Sequence, residues 1–337
     1  MKWYDRIENT DDVVISSRIR LARNLSDFAF PGRLDADSSK KVALSVKQAL
    51  ENAFSDKLLF TEMNKNSEKN ILVEEHVISP DFAEETQIYR ALACDEENSL
   101  AVMINEEDHV RIQAILPGFK LDEAYEKANE ADDAIIKGCN IAYDEKLGFL
   151  TSCPTNLGTG LRASVMLHLP ALSALGYIKS IVSLMNKIGL TVRGIYGEGS
   201  DARANMYQLS NQVTLGISEE DTISKLKSAV MQIVEREREM RKKLLENNSG
   251  EIYDKLWRSF GTLKYARSID TIEASKLISN VRLAQVCGII PEIKDKNLIK
   301  LLFEIMPSHI LARFSDADGA HTRDKYRADL IRQFFEN

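Results

Sequence analysis

The pattern of apolar and polar positions divides the chain into a first part of mixed strands and helices and a second part of helices alone. In the first part, "DVVIS" at 12–16 is typical of a strand, and 37–54 has the apolar spacing of an amphipathic helix. The segment "NILVEEHVIS" at 70–79 is predicted to be β-rich, and "SLAVMINEEDHVRIQAIL" at 99–116 predicts two strands joined by an acidic turn. A helical period returns at 121–139, so strands and helices are interleaved.

The middle of the chain continues this mixed pattern. "GFLTSC" at 148–153 predicts a strand, and 160–187 carries helix signals on either side of a possible break at Pro170, so Arg162 is predicted to open a helix. The run "LTVRGIYGEGSDARANMYQLSNQVTLG" at 190–216 predicts two strands around a glycine-rich loop. Several strand pairs are too close in sequence for crossover helices. We therefore predict an α+β fold with a mainly antiparallel sheet flanked by helices.

Strand signals stop near Asp221, where a long charged helix is predicted at 222–247. Beyond it the apolar residues keep the helical period in four more stretches, at 251–262, 271–286, 294–305 and 322–335. Such a run of amphipathic helices is typical of a helical bundle. The chain is therefore predicted to hold two domains, an α+β domain at 1–242 and an all-α bundle at 243–337.

Composition and charge narrow the function classes. The 337 residues carry a formal charge of -7, which speaks against wholesale nucleic-acid binding. No apolar run approaches the roughly 18 residues that span a bilayer, and "MKWYDRIENT" lacks the apolar core of a signal peptide. We therefore expect a cytoplasmic protein that binds neither membrane nor nucleic acid. The cysteines form no C-x-x-C pair, so neither a zinc site nor a disulfide framework is indicated.

Several arginines stand where they suit phosphate binding. Arg18 and Arg20 alternate along an extended segment, so their side chains are predicted to share one face of a sheet. Guanidinium groups stay charged and bind phosphate oxygens in a bidentate manner, which suits a polyphosphate. The loop at 157–162 lacks the lysine of a Walker A element and, taken alone, is either a plain turn or an anion-binding loop.

Carboxylates and one cysteine form a second candidate set. Glu106, Glu107 and Asp108 lie at a strand turn, and Glu198 lies in a glycine-rich loop. Taken singly, each is a solvated turn residue, and Cys153 is either a small buried hydrophobe or the seat of a reactive thiol. Their neighbourhood of arginines and glycines is what favours a functional interpretation.

Four segments, in this order along the chain, carry a family resemblance: "SSRIRLARN", "NEEDHVRI", "CPTNLGTGLRAS" and "VRGIYGEGS". Together they resemble the signature segments of the phosphagen (guanidino) kinase superfamily. The short stretch before "DVVISSRIR" and the segment "RDKYRA" at 323–328, which is similar to an RDxxRA motif, indicate the bacterial protein-arginine kinase branch (McsB type). Tyr196 stands where small-guanidine kinases commonly have an arginine, which weakens a free-guanidine assignment.

The resemblance implies roles for individual residues. It implies ATP and Mg²⁺ as cofactors, with Mg²⁺ held mainly by ATP phosphates and water rather than by protein ligands. The nucleotide phosphates are expected at Arg18, Arg20, Arg111, Arg162 and Arg193, and adenine at His76. Further ATP contacts are expected at neighbouring residues, namely Ser16, Ser17, Ile19, Ala163, Ser164, Val165, Met166, Gly194, Ile195, Tyr196, Gly197 and Glu198.

The resemblance also implies the catalytic groups. Two carboxylates, Glu107 and Glu198, are expected to hold the substrate guanidinium, with Glu198 as the preferred general base, and Cys153 is expected to be the reactive cysteine. A free guanidinium has a pKa above about 12, so some group must take its proton before it can attack ATP. His109 also matches a family position and is expected to be structural or supportive.

The end of the chain is expected to be regulatory. Arg323, Asp324, Arg327 and Ala328 resemble part of a phosphoarginine-binding motif, in which arginines at i and i+4 share a helix face and clamp a phosphate. The resemblance implies a homodimer, protein substrates with exposed arginines, among them a heat-shock transcriptional repressor, the Clp protease machinery and a possible activator protein. It predicts a protein-arginine kinase that marks proteins for Clp degradation and inactivates that repressor.

Three other functions stay open at this point. The first is a kinase for a free guanidine, and the second is a non-catalytic adaptor that binds phosphoarginine proteins. The third is a thiol hydrolase built on Cys153, which would leave the phosphate-suited arginines without a role.

Overall fold

The computed structural model describes residues 2–6, 12–195, 202–247 and 249–336, and all structural statements refer to these residues. The strands are β1 Val14–Arg23, β2 Leu59–Glu62, β3 Ala91–Cys94, β4 Leu100–Ile104, β5 Val110–Pro117, β6 Tyr143–Asp144, β7 Gly148–Phe149, β8 Leu161–His168, β9 Leu190–Gly194 and β10 Met206–Asn211. The helices are α1 Ala36–Phe54, α2 Lys69–Glu74, α3 Pro80–Ala83, α4 Leu121–Gly138, α5 Pro170–Ala174, α6 Ile178–Lys187, α7 Glu219–Asn247, α8 Ser249–Tyr265, α9 Thr271–Val286, α10 Leu298–Glu304, α11 Pro307–Arg313 and α12 Ala320–Glu336.

Eight strands form the main sheet, in the order β2-β3-β4-β5-β1-β8-β10-β9, and β6 and β7 form a separate hairpin. The pairs β2–β3, β3–β4, β4–β5 and β5–β1 are all antiparallel. The predicted α+β fold with a mainly antiparallel sheet, flanked by helices and followed by a helical region, is therefore confirmed.

The chain forms two compact units. The first consists of Met1–Arg6, Ser16–Val165 and Ser210–Ser228, and the second of Ile7–Ile15, Met166–Leu209 and Ala229–Asn337. These units differ from the predicted domain division at residue 242, which rests on where the strand pattern gives way to helices. Residues 166–209 instead cluster with the helical end of the chain. The two domains remain a prediction.

Helices cover the first unit where the sequence supplies apolar stripes. Helix α1 begins at a strong cap, since Asp35 Oδ1 accepts hydrogen bonds from the backbone N–H groups of Asp37 (2.9 Å) and Ser38 (2.8 Å). Helix α4 packs on β5 and against α1. A side chain at Gly138 would place its Cβ 2.5 Å from the Cβ of Ala49, so only glycine allows this close approach.

The second unit contains α5, α6, β9 and the C-terminal helices. Helix α8 packs against α9 and α12, and α11 against α12. Glu237 of α7 is fully buried and accepts hydrogen bonds from the N–H groups of Ala171 (3.1 Å) and Leu172 (3.0 Å) at the start of α5. No helix of the described residues is both long and apolar enough to cross a membrane.

Three predicted elements are wrong. Residues 70–79 form α2 and a turn instead of a strand, because local bonds such as Glu75 N–H to Ile71 O (2.8 Å) satisfy the backbone. "GFLTSC" contributes only the two residues of β7. Arg162 lies in strand β8 rather than at a helix start, because Leu161, Ala163, Val165 and Leu167 are all buried with a period of two.

The predicted helices at 37–54, 121–139, 222–247, 251–262, 271–286 and 322–335 are confirmed. The predicted helix at 294–305 is shorter, since a 3₁₀ turn at Pro291–Ile293 precedes α10. Helix α11 was missed because Pro307, which ends the apolar spacing of one helix, is also well suited to the first turn of the next.

Candidate active site

Four arginines of the first unit lie on one face of its sheet. Arg18 and Arg20 are two residues apart on β1, and the β1–β5 register pairs Ala22 with Arg111, which places Arg111 on the same face. Arg18 Nε donates a hydrogen bond to Ser164 Oγ (3.3 Å), which brings in β8 and its Arg162, two residues from Ser164. The predicted one-sided pair is therefore confirmed, and we call Arg18, Arg20, Arg111 and Arg162 the arginine face.

Arg20 is repelled by the other three members of the arginine face. Burial lowers the pKa of the Arg20 guanidinium well below its ordinary value, and the charges of the other three arginines lower it further, against an opposing effect of Glu106. Arg20 Nε is buried and has no hydrogen-bond partner. Because arginine stays protonated in proteins, this repulsion is a cost of the fold, and a polyanion bound to the face would relieve it.

Two carboxylates border the arginine face at the β4–β5 turn. Arg111 Nη1 lies 2.6 Å from Glu106 Oε1, and Nη2 lies 2.9 Å from Glu107 Oε2. Glu106 is almost fully buried and also accepts a short hydrogen bond from Ser79, whereas the side chain of Glu107 is 44% exposed. Burial and the neighbouring carboxylates raise the pKa of Glu107 despite the attraction of Arg111. Glu107 is thus the solvent-facing member, better suited to accept a proton.

The residues that follow Glu107 fix this turn. Asp108 Oδ1 accepts hydrogen bonds from Asn24 Nδ2 and from the N–H of Ser152, both at 2.6 Å. His109 is fully buried; its Nδ1 accepts from the N–H of Leu25 (3.1 Å) and its Nε2 donates to Ala29 O (2.9 Å). Burial lowers the pKa of His109, consistent with a neutral ring in that tautomer. This geometry agrees with the structural or supportive role expected for His109.

Cys153 is connected to the arginine face through one hydroxyl. It precedes a 3₁₀ turn at Pro154–Asn156, and its Sγ lies 3.0 Å from Thr155 Oγ1. Arg162 Nη2 donates to the same Thr155 Oγ1 (3.4 Å) and to Asn156 Oδ1 (3.1 Å). Because Thr155 Oγ1 accepts from Arg162, its hydroxyl proton stays available to the sulfur, although either atom of the Cys153–Thr155 pair can be the donor.

His76 lies beside the arginine face. Gln113 of β5 donates from Nε2 to the backbone oxygen of His76 (2.7 Å), and the register pairs Gln113 with Arg20. Burial lowers the pKa of His76 to about 3, and the charge of Arg18 adds to this effect. The imidazole is therefore neutral near pH 7, and a neutral flat ring beside a phosphate-suited surface is compatible with stacking on a base.

The other residues expected at ATP fall into four groups. On β1 and β8, the first group projects to the same side as the arginines; it consists of Ser16, Ser164 and Met166. The second group is fully buried and projects to the opposite side; it consists of Ser17, Ile19, Ala163 and Val165. Arg193, Gly194 and Ile195 lie in the second unit, where Arg193 is exposed at the end of β9. Tyr196, Gly197 and Glu198 lie outside the described residues.

The C-terminal motif differs from the expected two-arginine clamp. Arg327 is 1% exposed and donates to Ile305 O (2.9 Å) and Ile269 O (2.9 Å), besides an ion pair with Asp324 (2.5 Å). Arg323 is only half-buried and donates to Asp318 O (3.0 Å), and Ala328 is buried. The two arginines therefore do not share one open helix face, because Arg327 points into the helical core and orients Asp324.

Sequence reasoning missed Thr155 and Ser79, which touch Cys153 and Glu106. Both carry a hydroxyl next to a proline, a pattern too common to indicate chemistry without the fold. In the described part of the chain, no group of three or more His, Cys, Asp or Glu side chains is arranged to hold a metal ion.

Comparisons with known families and proteins agree with this geometry. Residues 38–240 match the family described as ATP:guanido phosphotransferase, C-terminal catalytic domain, and residues 249–337 match the protein-arginine kinase McsB C-terminal domain. The chain is 47% identical to a protein-arginine kinase of Syntrophomonas wolfei over 96% of this chain and 91% of that protein. It is 44% identical to a protein-arginine kinase of Halalkalibacterium halodurans over 98% and 94% of the two chains.

Solved structures show the same fold at lower identity. The crystal structure of a lombricine kinase matches with a TM-score of 0.60 and 25% identity, over 72% of this chain and 71% of that one. The duplicated taurocyamine kinase from Schistosoma mansoni with bound transition state analog components matches with a TM-score of 0.61 and 26% identity, over 75% of this chain and 38% of that one.

Proposed function

The chain belongs to the ATP:guanido phosphotransferases, in the protein-arginine kinase family, and from that premise we propose that it transfers the γ-phosphoryl group of ATP to arginine side chains of proteins at the arginine face. The observation that carries the proposal is the arginine face itself, bordered by Glu107 and by the Cys153–Thr155 pair. The family membership confirms the resemblance of the four signature segments.

The arginine face would bind the triphosphate. Arg18, Arg20 and Arg162 project from the same side of the sheet. Arg111 lies on that side too and also forms an ion pair with Glu107, so it would lie between the phosphates and the carboxylates. Phosphoryl transfer depends mainly on positioning and on stabilising the charge of the migrating group, which fixed guanidinium groups supply. Mg²⁺ bound to the phosphates would neutralise further negative charge. Arg193 is proposed as a fifth phosphate ligand, and His76 as the adenine contact.

The carboxylates would prepare the substrate arginine. In the chain as folded, Glu107 already binds a guanidinium, that of Arg111, so its geometry suits this group. Phosphate oxygens would give Arg111 an alternative partner, which would leave Glu107 available for the substrate. A guanidinium nitrogen then attacks the γ-phosphorus, the N–P bond forms as the bond to ADP breaks, and the proton of that nitrogen passes to a carboxylate.

Glu198 is proposed as the second carboxylate and preferred base, on the family resemblance alone. Cys153 is proposed to sit at the guanidinium end, where a thiolate would attract the positively charged substrate. The contact between Cys153 Sγ and Thr155 Oγ1, 3.0 Å apart, supports this role because it fixes the position of the sulfur next to Arg162.

Partners and regulation are proposed from the family resemblance. They are a homodimer, the Clp protease machinery, a heat-shock repressor as one substrate, an activator protein and a phosphoarginine site at Arg323 and Asp324. A cytoplasmic location belongs to the same proposal. In the proposed phosphoarginine site, Arg327 would be a positioning residue, since its guanidinium forms an ion pair with Asp324.

A transfer assay tests the proposal. The chain is incubated with ATP and either free arginine or an unfolded protein, and acid-labile phosphate is located by mass spectrometry. We expect phosphoarginine on the protein and little on free arginine. Transfer mainly to free arginine would instead support a small-guanidine kinase, and binding of phosphoarginine protein with no transfer would support an adaptor.

A further inference from the structure

Four large apolar side chains are exposed on two segments next to the Cys153 loop. Tyr143 is 59% exposed and Leu147 43%, both on the β6–β7 hairpin, while Val213 is 49% and Leu215 48% exposed on the loop after β10. We call these four residues the apolar rim. All belong to the first unit. Apolar side chains grouped beside a reactive site are typical of a binding surface.

The apolar rim is fixed to the loop that carries Cys153. On one side, Phe149 of the hairpin donates its N–H to Gly158 O (2.8 Å). On the other side, Thr214, which lies between Val213 and Leu215, donates from Oγ1 to Leu157 O (2.7 Å) and Thr155 O (3.0 Å). These bonds hold both segments against one loop.

Glycine at position 158 allows the close contact. Its φ is +108°, and a Cβ there would lie 2.3 Å from Thr214 O and 2.8 Å from Leu215 Cα. Any side chain at Gly158 would therefore push the loop after β10 away from Cys153. A hydrogen bond fixes the position of Leu147, because its N–H donates to Asp144 Oδ1 (2.9 Å) within the hairpin turn.

Building on the proposed function, we propose that the apolar rim binds the polypeptide on either side of the target arginine and favours apolar side chains next to it. An arginine side chain has a limited reach, so the main chain that carries it must lie on the surface around Cys153 and Glu107. A substrate polypeptide would then cover the apolar rim, whereas free arginine would leave it in water. Large apolar residues are mostly buried in folded proteins and become exposed when a chain unfolds, so unfolded chains would offer more such segments.

Matched peptides test the proposal. One peptide carries arginine between leucines and the other carries arginine between serines, and phosphoarginine formation is measured with the full chain. We expect the leucine peptide to have the higher kcat/KM, through KM. In the double variant Val213→Thr, Leu215→Ser, the kcat/KM for the leucine peptide should fall about tenfold and that for the serine peptide less than about twofold.

Two further variants test whether the preference depends on the apolar rim. Tyr143→Thr changes the other segment of the apolar rim and should reduce the same preference. Leu59→Thr removes a side chain that is 73% exposed on β2, an edge strand of the sheet, and should leave the preference unchanged. Thermal unfolding of each variant shows whether the fold persists.

The outcomes separate the two proposals. Equal kcat/KM of the wild type for both peptides, or a preference that survives all apolar-rim variants, overturns the apolar rim as substrate surface. A changed oligomeric state in sedimentation with an unchanged preference overturns it too, since a second copy would then cover these residues. If the wild type transfers phosphate to neither peptide nor any protein, the proposed function itself fails.

Discussion

Two arginine-rich regions of the chain are built in opposite ways. In the second unit, Arg241 is buried and paired with two carboxylates: its Nε lies 2.9 Å from the buried Glu237 Oε1 and its Nη1 2.9 Å from Asp12 Oδ2. In the first unit, Arg20 is surrounded by three more arginines, and its buried Nε has no partner. The same side chain is neutralised in one region and left repelled in the other.

The difference separates an arginine that is paired within the fold from Arg20, which is repelled by the arginines around it. A buried ion pair is costly to break, because one charge is left uncompensated. A cluster of like charges instead costs stability until an anion binds. Arg238 marks an intermediate case, since it pairs with Asp12 at 2.6 Å but is 52% exposed.

The largest expected effect is on stability, at Arg241. Arg241→Met should lower the free energy of unfolding by about 3–5 kcal/mol, because it leaves Glu237 buried without its counter-charge. Arg238→Met is the matched control and should cost less than about 1 kcal/mol, since exposed pairs contribute little. Denaturant unfolding measures both values. Equal losses in the two variants would remove the distinction between buried and exposed pairing.

Glu107 gives the next effect, on activity rather than stability. Because burial raises the pKa of Glu107, the carboxylate form that would hold the substrate guanidinium is lost as the pH falls through a value above that of an ordinary glutamate, so kcat/KM should show an acid limb there. Glu107→Gln should remove that limb and lower kcat about 100-fold, with little change in unfolding. If the acid limb persists unchanged in Glu107→Gln, the limb reports the titration of a group other than Glu107.

The smallest effect is expected at Thr155, which links Cys153 to the arginine face. Thr155→Val removes one hydrogen bond to the sulfur and one from Arg162, and should lower kcat/KM by about two- to tenfold. Thr155→Ser keeps the hydroxyl and should restore the rate. Thermal unfolding shows whether both variants keep the fold, and an unchanged kcat/KM in Thr155→Val would contradict the link.

The sequence predicted the elements whose side chains alternate clearly. Arg18 and Arg20 share one face because they stand two residues apart in an extended segment, and the β4–β5 pair followed from its acidic turn. The prediction of a helix was wrong at β8, where the buried Leu161, Ala163 and Val165 alternate but the residues between them also suit a helix. At α2, β-branched residues favoured a strand, whereas local backbone bonds and packing of Leu72 and Val73 on the core decided for a helix.

Burial of single polar residues could not be predicted from spacing. Arg323 and Arg327 stand four apart, which says that they are neighbours on a helix but not which side of that helix faces the core. Only the fold shows that Arg327 binds two backbone oxygens inside the helical region. Glu106 is similar: it was predicted as a solvated turn residue, yet its side chain is 2% exposed against Arg111.

ATP binding by Arg20→Met tests the central claim most directly. Calorimetric titration of the wild type and this variant, with Arg238→Met as control, compares an arginine of the arginine face with an arginine outside it. We predict that Arg20→Met weakens ATP binding by at least about tenfold and leaves the unfolding midpoint equal or higher, because a repelled charge is removed. Unchanged ATP affinity in Arg20→Met would contradict the assignment of the arginine face as the phosphate-binding surface.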